Sequence, residues 1–222
     1  PPGFVISDIA CRRFLETGDI PQDAWAQVAD GLERSTQAMR RFDPQRPVLY
    51  SVRSSPAVDM PGTYNSALYL GCTPQSLEEL EQWGGGRLAS IARLGFLKSI
   101  GRLRGLPAAH YSLIVADIAG PAPRAEWSDE QIGEVCRAYE TVVADVSQRP
   151  LPTDTDAQVR EGIESVFASW DRVQAHRFRR IHGYSDDEGM GVVVHPIIFG
   201  EAEGDSGAGY VVSRNPQDGA PA

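Results

Sequence analysis

Cysteine is scarce: Cys11, Cys72 and Cys136 lie far apart in 222 residues, odd in number and without a C-x-x-C pair. That pattern excludes a disulfide framework, a zinc ribbon and a dithiol redox site, and fits a reducing compartment. The four histidines, His110, His176, His182 and His195, show no metal-ligand spacing and no carboxylate pattern around them, so no metal site is expected from them. Basic residues are in deficit, 21 against 30 acidic for a net charge of −9, and no Lys/Arg run is dense enough to track a phosphate backbone. Nucleic acid and anionic membrane are therefore not expected as partners. No apolar run approaches the ~20 residues a membrane helix needs, and no signal peptide opens the chain. Together these absences point to a soluble, cytoplasmic protein.

What is present is enough chain for a real core, read as one domain with two lobes. Ser7 and Asp8 predict a helix start, and a second helix begins near Pro21-Gln22-Asp23 with Trp25, Val28, Leu32 and Met39 at helical spacing. Thr73-Pro74 carries a cap followed by proline, with Leu77 and Leu80 on one face. Ser128-Asp129-Glu130-Gln131 is a capping box; the helix it opens lines up Ile132, Val135, Cys136, Tyr139, Val142, Val143 and Val146. A further helix from about Thr155 buries Val159, Ile163, Val166, Phe167 and Trp170. Between Gly84 and Gly105, Arg87, Arg93, Lys98, Arg102 and Arg104 alternate with apolar residues; the pattern fits either an amphipathic helix or a mobile basic loop.

Two stretches read as strands with chemistry at their ends. Val48 to Ser55 is a short apolar strand ending in Arg53 and two serines, followed by a loop held at Pro61-Gly62. Proline then glycine suits a type II turn, whose third residue needs a positive φ. A guanidinium at a strand end beside hydroxyls and loop amides can grip an oxyanion or phosphate, its planar fork binding two oxygens at once. The alternative is an arginine in a solvated surface loop. Gly191 to Gly200 is β-branched, and with Gly209 to Ser213 it predicts a hairpin closed by Asn215-Pro216, leaving Gln217 to Ala222 as a frayed end.

The stretch Ser51-Val52-Arg53-Ser54-Ser55, Met60-Pro61-Gly62 and Leu68-Tyr69-Leu70-Gly71 resembles S-V-R-S-G-A-x-x-S-M-P-G-M-M-D-T-x-L-N-L-G of the pyruvate phosphate dikinase nucleotide-binding domain. Pro1-Pro2-Gly3-Phe4-Val5-Ile6 is similar to that family's P-P-G-F-V-I-T, and Ser169-Trp170 with Arg179-Arg180 to its F-x-S-W…Y-R-R. Phe199-Gly200, Asp205-Ser206-Gly207-Ala208-Gly209 and Ser213-Arg214-Asn215-Pro216 resemble F-G-N-M-x-x-D-S-G-T-G-V-x-F-T-R-[ND]-P. The pieces follow the family's order along the whole chain. Two places depart from it. Leu94-Gly95 stands where the family helix R-R-F-I-Q-M-Y-G-D-V has its basic pair, with Arg93 the nearest cation, and Thr63-Tyr64-Asn65-Ser66 replaces M-M-D-T.

The resemblance implies an α/β (α+β) fold of ATP-grasp type, two-lobed, with a mixed or antiparallel sheet and flanking helices. It spans residues 1–222, with a helical insertion over about 73–185 and a hairpin lobe over about 189–216. It implies the ATP-binding part of a dikinase that moves phosphoryl groups from ATP to a phosphohistidine on another domain and then to pyruvate. Arg53 would clamp phosphate and Gly62 and Thr63 would form a lid. His195, Pro196 and Ile198 would be the hinge whose main chain meets the adenine edge, and Ser206, Gly207 and Gly209 a small-residue loop near phosphate. The rival for the hinge residues is plain sheet core, and for the glycine loop a bare hairpin turn. Cofactors would be ATP and Mg²⁺, the metal ligands lying outside this segment; partners would be ATP and the phosphohistidine and pyruvate-binding domains. Other readings are a phosphoenolpyruvate synthase or antibiotic phosphotransferase on the same fold, or a non-catalytic nucleotide-binding module. Gly204-Asp205-Ser206-Gly207 with His110 and Asp117 also resembles serine protease fragments, but long helices intervene between that His and Ser, and such proteases are nearly all β. The chain begins at Pro1 inside a motif, so it is expected to be a trimmed protein or a piece of a longer one, folded but catalytically incomplete.

Overall fold

The last strand of the chain lies inside the sheet rather than at its edge. In the computed structural model, which describes residues 2–58, 60, 62–200, 202, 206–209, 211–215 and 218–221, β1 (Phe4–Ile6) is followed by α1 (Asp8–Thr17) and α2 (Gln22–Arg40). Then come β2 (Tyr50–Ser55), β3 (Ser66–Leu70) and six helices: α3 (Pro74–Gly84), α4 (Gly86–Leu103), α5 (Ala108–Ile118), α6 (Asp129–Ser147), α7 (Thr155–Ala168) and α8 (Val173–His182). Finally β4 (Gly191–Pro196) enters between β1 and β2, giving the antiparallel order β1-β4-β2-β3.

Local signals account for most helix starts. Thr73 accepts from the Ser76 amide while the Ser76 hydroxyl accepts from the Thr73 amide, and Ser128 with Gln131 repeats the arrangement at α6. Asp154 caps α7 through the Ala157 amide at 2.8 Å. Ser7 sits at the N-cap of α1 in extended conformation, but its side chain makes no capping bond. The basic stretch is helix: α4 buries Leu88, Ile91, Leu94, Phe96, Leu97 and Ile100, enough apolar surface to fix it against β3, α3 and α6. Several of the stretch's arginines serve the fold. Arg93 pairs with Glu140, and Arg104 reaches Glu161 at 2.8 Å. On α6 the expected apolar face holds for Ile132, Val135, Cys136, Tyr139 and Val143, while Val146 is exposed.

The expected hairpin does not form among the described residues. The strand stops at Pro196 instead of continuing to Gly200, and Gly209 and Val211 to Ser213 lie outside any strand; Tyr210 and Pro216 fall outside the described residues. The physical reason is that both edges of β4 are taken. Phe4 to Ile6 pair with Val194 to Val192, and Tyr50 to Ser55 pair with Pro196 to Gly191. The tail closes locally instead of fraying, with the Asn215 amide donating to the Ala220 carbonyl at 2.8 Å.

Opposed residues in antiparallel pairs share a face. Val194, Val52 and Ala67 form one row, fully buried under α1, α2 and α7. Val5, Val193, Arg53 and Ser66 form the next, on the other face, with Val5 67% exposed and Arg53 exposed. Gln158, with no exposure, secures the end of β3: its Oε1 accepts from the Gly71 amide and its Nε2 donates to the Cys72 and Pro152 carbonyls. No described helix is long and apolar enough to cross a membrane.

All three cysteines are buried free thiols. Burial pushes Cys72 up to about 12 and Cys136 to about 11, and raises Cys11 as well. The native chain should therefore give almost no fast reaction with a thiol reagent at neutral pH, and three equivalents once unfolded. Because these folded values lie above that of an unfolded thiol, stability is fully present below the unfolded value and should fall as pH rises from about 9 toward 12. Denaturant midpoints measured along that range check the slope, and a flat profile would contradict it.

Candidate nucleotide site

Three pieces of backbone converge on the uncovered face and end of this sheet. The first is the β2 row itself. Arg53 opposes Val193 on one side and Ser66 on the other, and its Nε donates to the buried Ser51 hydroxyl at 3.1 Å. Ser51 in turn opposes His195, so His195 and Arg53 share the open face. This leaves the two terminal nitrogens of Arg53 toward solvent, the geometry of a fork that can take two oxygens.

The second is the loop from β2 to β3. The Thr63 amide donates to the Met60 carbonyl at 3.2 Å and Gly62 has φ 74°, the positive value a type II turn demands of its third residue. Asp59 and Pro61 lie outside the described residues. The turn is tied down from behind. Tyr64 stacks on Trp170, centroids 5.7 Å apart and planes 9° from parallel. Asn65, 5% exposed, donates to the Ser165 hydroxyl at 2.8 Å through its side chain and to the Ser169 hydroxyl at 3.2 Å through its amide. Arg179, with no exposure, sits 4.0 Å over the Trp170 ring and donates to the Trp170 carbonyl, to Asp186 and, at 3.4 Å, to the Tyr64 hydroxyl. His176 touches both Arg179 and Asp186, and hydrogen bonds from Arg179 first and His176 second hold the Asp186 carboxyl below its ordinary value.

The third is the chain leaving β4. The Ile197 amide donates to the Leu49 carbonyl at 2.8 Å, and the Ile197 carbonyl accepts from Arg46 Nη2 at 3.3 Å. Arg46 is held between Trp83 and Phe199, 5.4 and 5.7 Å from their ring centres. Both polar groups of Ile197 thus point to the β2 side. Pro196, the last residue of β4, has no N–H and offers only its carbonyl as an acceptor, and Ile198 beyond it is exposed. The acceptor also lies 3.0 Å from His195 Nδ1. Ser206, Gly207 and Gly209 are exposed, and their loop folds back on this hinge: a Cβ on Gly200 would stand 2.9 Å from the Ala208 Cβ. Asp205 lies outside the described residues.

The family model for the pyruvate phosphate dikinase AMP/ATP-binding domain matches residues 12–222. The chain belongs to that family. Among curated relatives it is 31% identical over 226 residues to pyruvate, phosphate dikinase 2 of Zea mays, covering 99% of this chain and 26% of the relative. It is 30% identical to the chloroplastic pyruvate, phosphate dikinase 1 of Oryza sativa subsp. japonica, over 99% of this chain and 24% of that protein, and 31% identical over the same shares to its counterpart in Arabidopsis thaliana. The chain thus spans about a quarter of the length of the curated relatives it matches.

Within this dikinase domain the structure brings Arg53 and His195 onto one face, and places Pro196 and Ile198 at the end of β4. Gly62 and Thr63 form a turn at the end of the loop that returns through Ser66, opposite Arg53. The family's basic pair has no counterpart, since Leu94 is fully buried and Gly95 lies against the Tyr69 ring. The sequence carried Trp170 and Arg179 only as parts of a matching motif; their work as a loop anchor becomes visible once Tyr64 is seen to meet them.

Replacing Arg179 with methionine should lower the unfolding free energy by about 2 kcal/mol or more, because the buried Trp170 carbonyl and the half-buried Tyr64 hydroxyl lose a charged donor. Hydrogen exchange at Asn65 and Ser66 should quicken in step. Since the Asp186 value is lowered in the folded state, its contribution is present above the ordinary carboxylate value and is lost as pH falls through the lowered one. The gap between wild type and variant should narrow in acid; a gap constant with pH would argue against this anchor.

Proposed function

We propose that this chain binds ATP along the open face of the sheet, as the nucleotide-binding part of a pyruvate phosphate dikinase-like phosphotransferase. The observation that carries the reading is the sharing of one sheet face by Arg53 and His195, beside the end of β4; in this reading the Pro196 carbonyl is the acceptor and the Ile198 amide the donor at the edge the base meets. Adenine offers the complement along its pairing edge: an amino group that donates and a ring nitrogen that accepts. With the base at that edge, the phosphates run along the β2 row toward Arg53, whose fork neutralises two oxygens. Gly62 and Thr63 form a lid over them, and Ser206, Gly207 and Gly209 close the hinge side, where small residues allow backbone amides near a phosphate. His195 steadies the Pro196 carbonyl.

Among the described residues no group of three or more His, Cys, Asp or Glu side chains could hold a metal ion. Mg²⁺ would be bound by residues elsewhere. The same holds for the phosphohistidine and pyruvate steps that the dikinase reading requires, which belong to other domains of a longer chain or partner. The chain's own share is binding and orienting the nucleotide.

Calorimetry and thermal shift with ATP, with and without Mg²⁺, test this. Ligand that binds only the folded chain should stabilise it by about 2.7 kcal/mol at a hundredfold excess over Kd. Arg53→Ala should weaken ATP roughly tenfold or more, the scale of charge-assisted hydrogen bonds, while leaving the unliganded melting temperature near wild type because the side chain is exposed. Equal affinity in the variant would remove Arg53 from the site. The isolated chain should bind ATP without turning it over; AMP formation by it, lost in Arg53→Ala, would overturn the view that it is incomplete.

A further inference from the structure

Where the chain leaves β4 it enters a small second core, in which Leu49, Leu80, Leu88 and Phe199 are buried and Trp83 and Ile197 pack against them. One cation reaches into it. The turn that delivers Arg46 is built by Asp43: one carboxylate oxygen accepts from the Gln45 amide at 3.1 Å and the other from Trp83 Nε1 at 2.7 Å, while the Asp43 carbonyl accepts from the Arg46 amide at 3.3 Å. Trp83 and Phe199, their ring centres 6.0 Å apart, flank the Arg46 guanidinium. Its Nη2 donates to the Ile197 carbonyl at 3.3 Å, and its Nε is buried with no hydrogen-bond partner among the described residues. Burial, opposed by the Asp43 charge, lowers the Arg46 pKa, as for any cation taken partly out of water.

A guanidinium with an unpaired buried nitrogen is a costly way to fill a gap that an apolar side chain would fill. What it adds is direction. With the Leu49 carbonyl accepting from the Ile197 amide and Arg46 donating to the Ile197 carbonyl, both polar groups of that residue are fixed, and Pro196 and Ile198 on either side inherit its position. We infer that Arg46 is a positioning residue for base recognition: pinned between Trp83 and Phe199, it holds Ile197 so that the main chain on either side keeps the placement a purine edge needs. It touches no ligand and acts through Ile197. This role rests on the nucleotide reading, whereas the clamp on the end of β4 stands on the contacts of Arg46 alone.

The probes are ATP, GTP and inorganic tripolyphosphate, titrated by calorimetry into the 222-residue chain and its Arg46→Gln variant. Guanine carries a carbonyl where adenine carries an amino group, so a well-placed hinge should favour ATP over GTP. Arg46→Gln should weaken ATP roughly tenfold, narrow that preference and leave tripolyphosphate unchanged, since phosphate belongs at the Arg53 end. Hydrogen exchange at the Ile197 amide should quicken in step. Arg137→Gln, at an exposed arginine on α6, should change none of these. If Arg46→Gln does not fold, Phe199→Leu, which removes one wall of the clamp, carries the same expectations. An unchanged ATP preference in the folded variant, or equal weakening of ATP and tripolyphosphate, overturns the inference, as does a wild type that binds ATP and GTP alike. A wild type that binds neither nucleotide would sink the nucleotide reading instead; faster exchange at Ile197 in the variant would then leave Arg46 standing as the clamp of the strand end, and unchanged exchange would remove the clamp too.

Discussion

The arrangement depends on β4 being hydrogen-bonded along both edges. Its register with β1 and β2 decides which residues of three strands look outward, and a slip of one residue would exchange the two faces. Arg53 would then point among Val159, Ile163 and Phe167, all without exposure, and an unpaired guanidinium there is far costlier than a lost apolar contact. Val192 and Val194, fully buried, oppose such a slip from the other side. The apolar face of the sheet therefore fixes the position of the one charged residue on β2. Just past the strand, Ile197 is satisfied from the same side, its amide donating to the Leu49 carbonyl and its carbonyl accepting from Arg46.

The loop that follows β2 has no sheet to hold it, and a different device does so. A buried arginine is expensive to desolvate, and only a full set of partners offsets it. Arg179 has them: a carboxylate, a carbonyl, a ring beneath it and a phenol. Because that set comes from the loop, from the residues after α7 and from the segment after α8, it is satisfied only when all three are in place. This makes the guanidinium a specifier of loop position more than a source of net stability. The turn proposed to lie over the phosphates is thereby given a fixed base.

Much of this was legible from sequence, and the failures have physical causes. Helices opened by Thr73-Pro74 and by the Ser128–Gln131 box are announced by side chains that satisfy backbone groups within the same turn. Such signals are local, so they survive without a fold. The segment from Gly84 to Gly105 is ambiguous because its arginines read as a solvated run; only the partners brought by α6 and α7, Glu140 for Arg93 and Glu161 for Arg104, show those two to be structural. A β-branched run identifies β4 as a strand but cannot say with what it pairs, and among the described residues the pairing is with β1 and β2. Arg53 was visible as a strand-end cation, whereas its loop's anchor joins Tyr64 to Arg179 across 115 residues, a distance no periodicity spans.

The charge distribution ties these threads together. With a net charge of −9 the chain as a whole repels anions, so any anion it holds must be held by local design. Many arginines are matched: Arg87 with Asp129, Arg93 with Glu140, Arg104 with Glu161, Arg160 with Asp19 and Glu164. Arg53, Arg102 and Arg172 have no carboxylate partner among the described residues, and all three border the loop between β2 and β3 or the strand row it continues. Acidic residues are thus placed against cations that build the scaffold, and Asp171, the carboxylate beside Arg172, is itself engaged by His176.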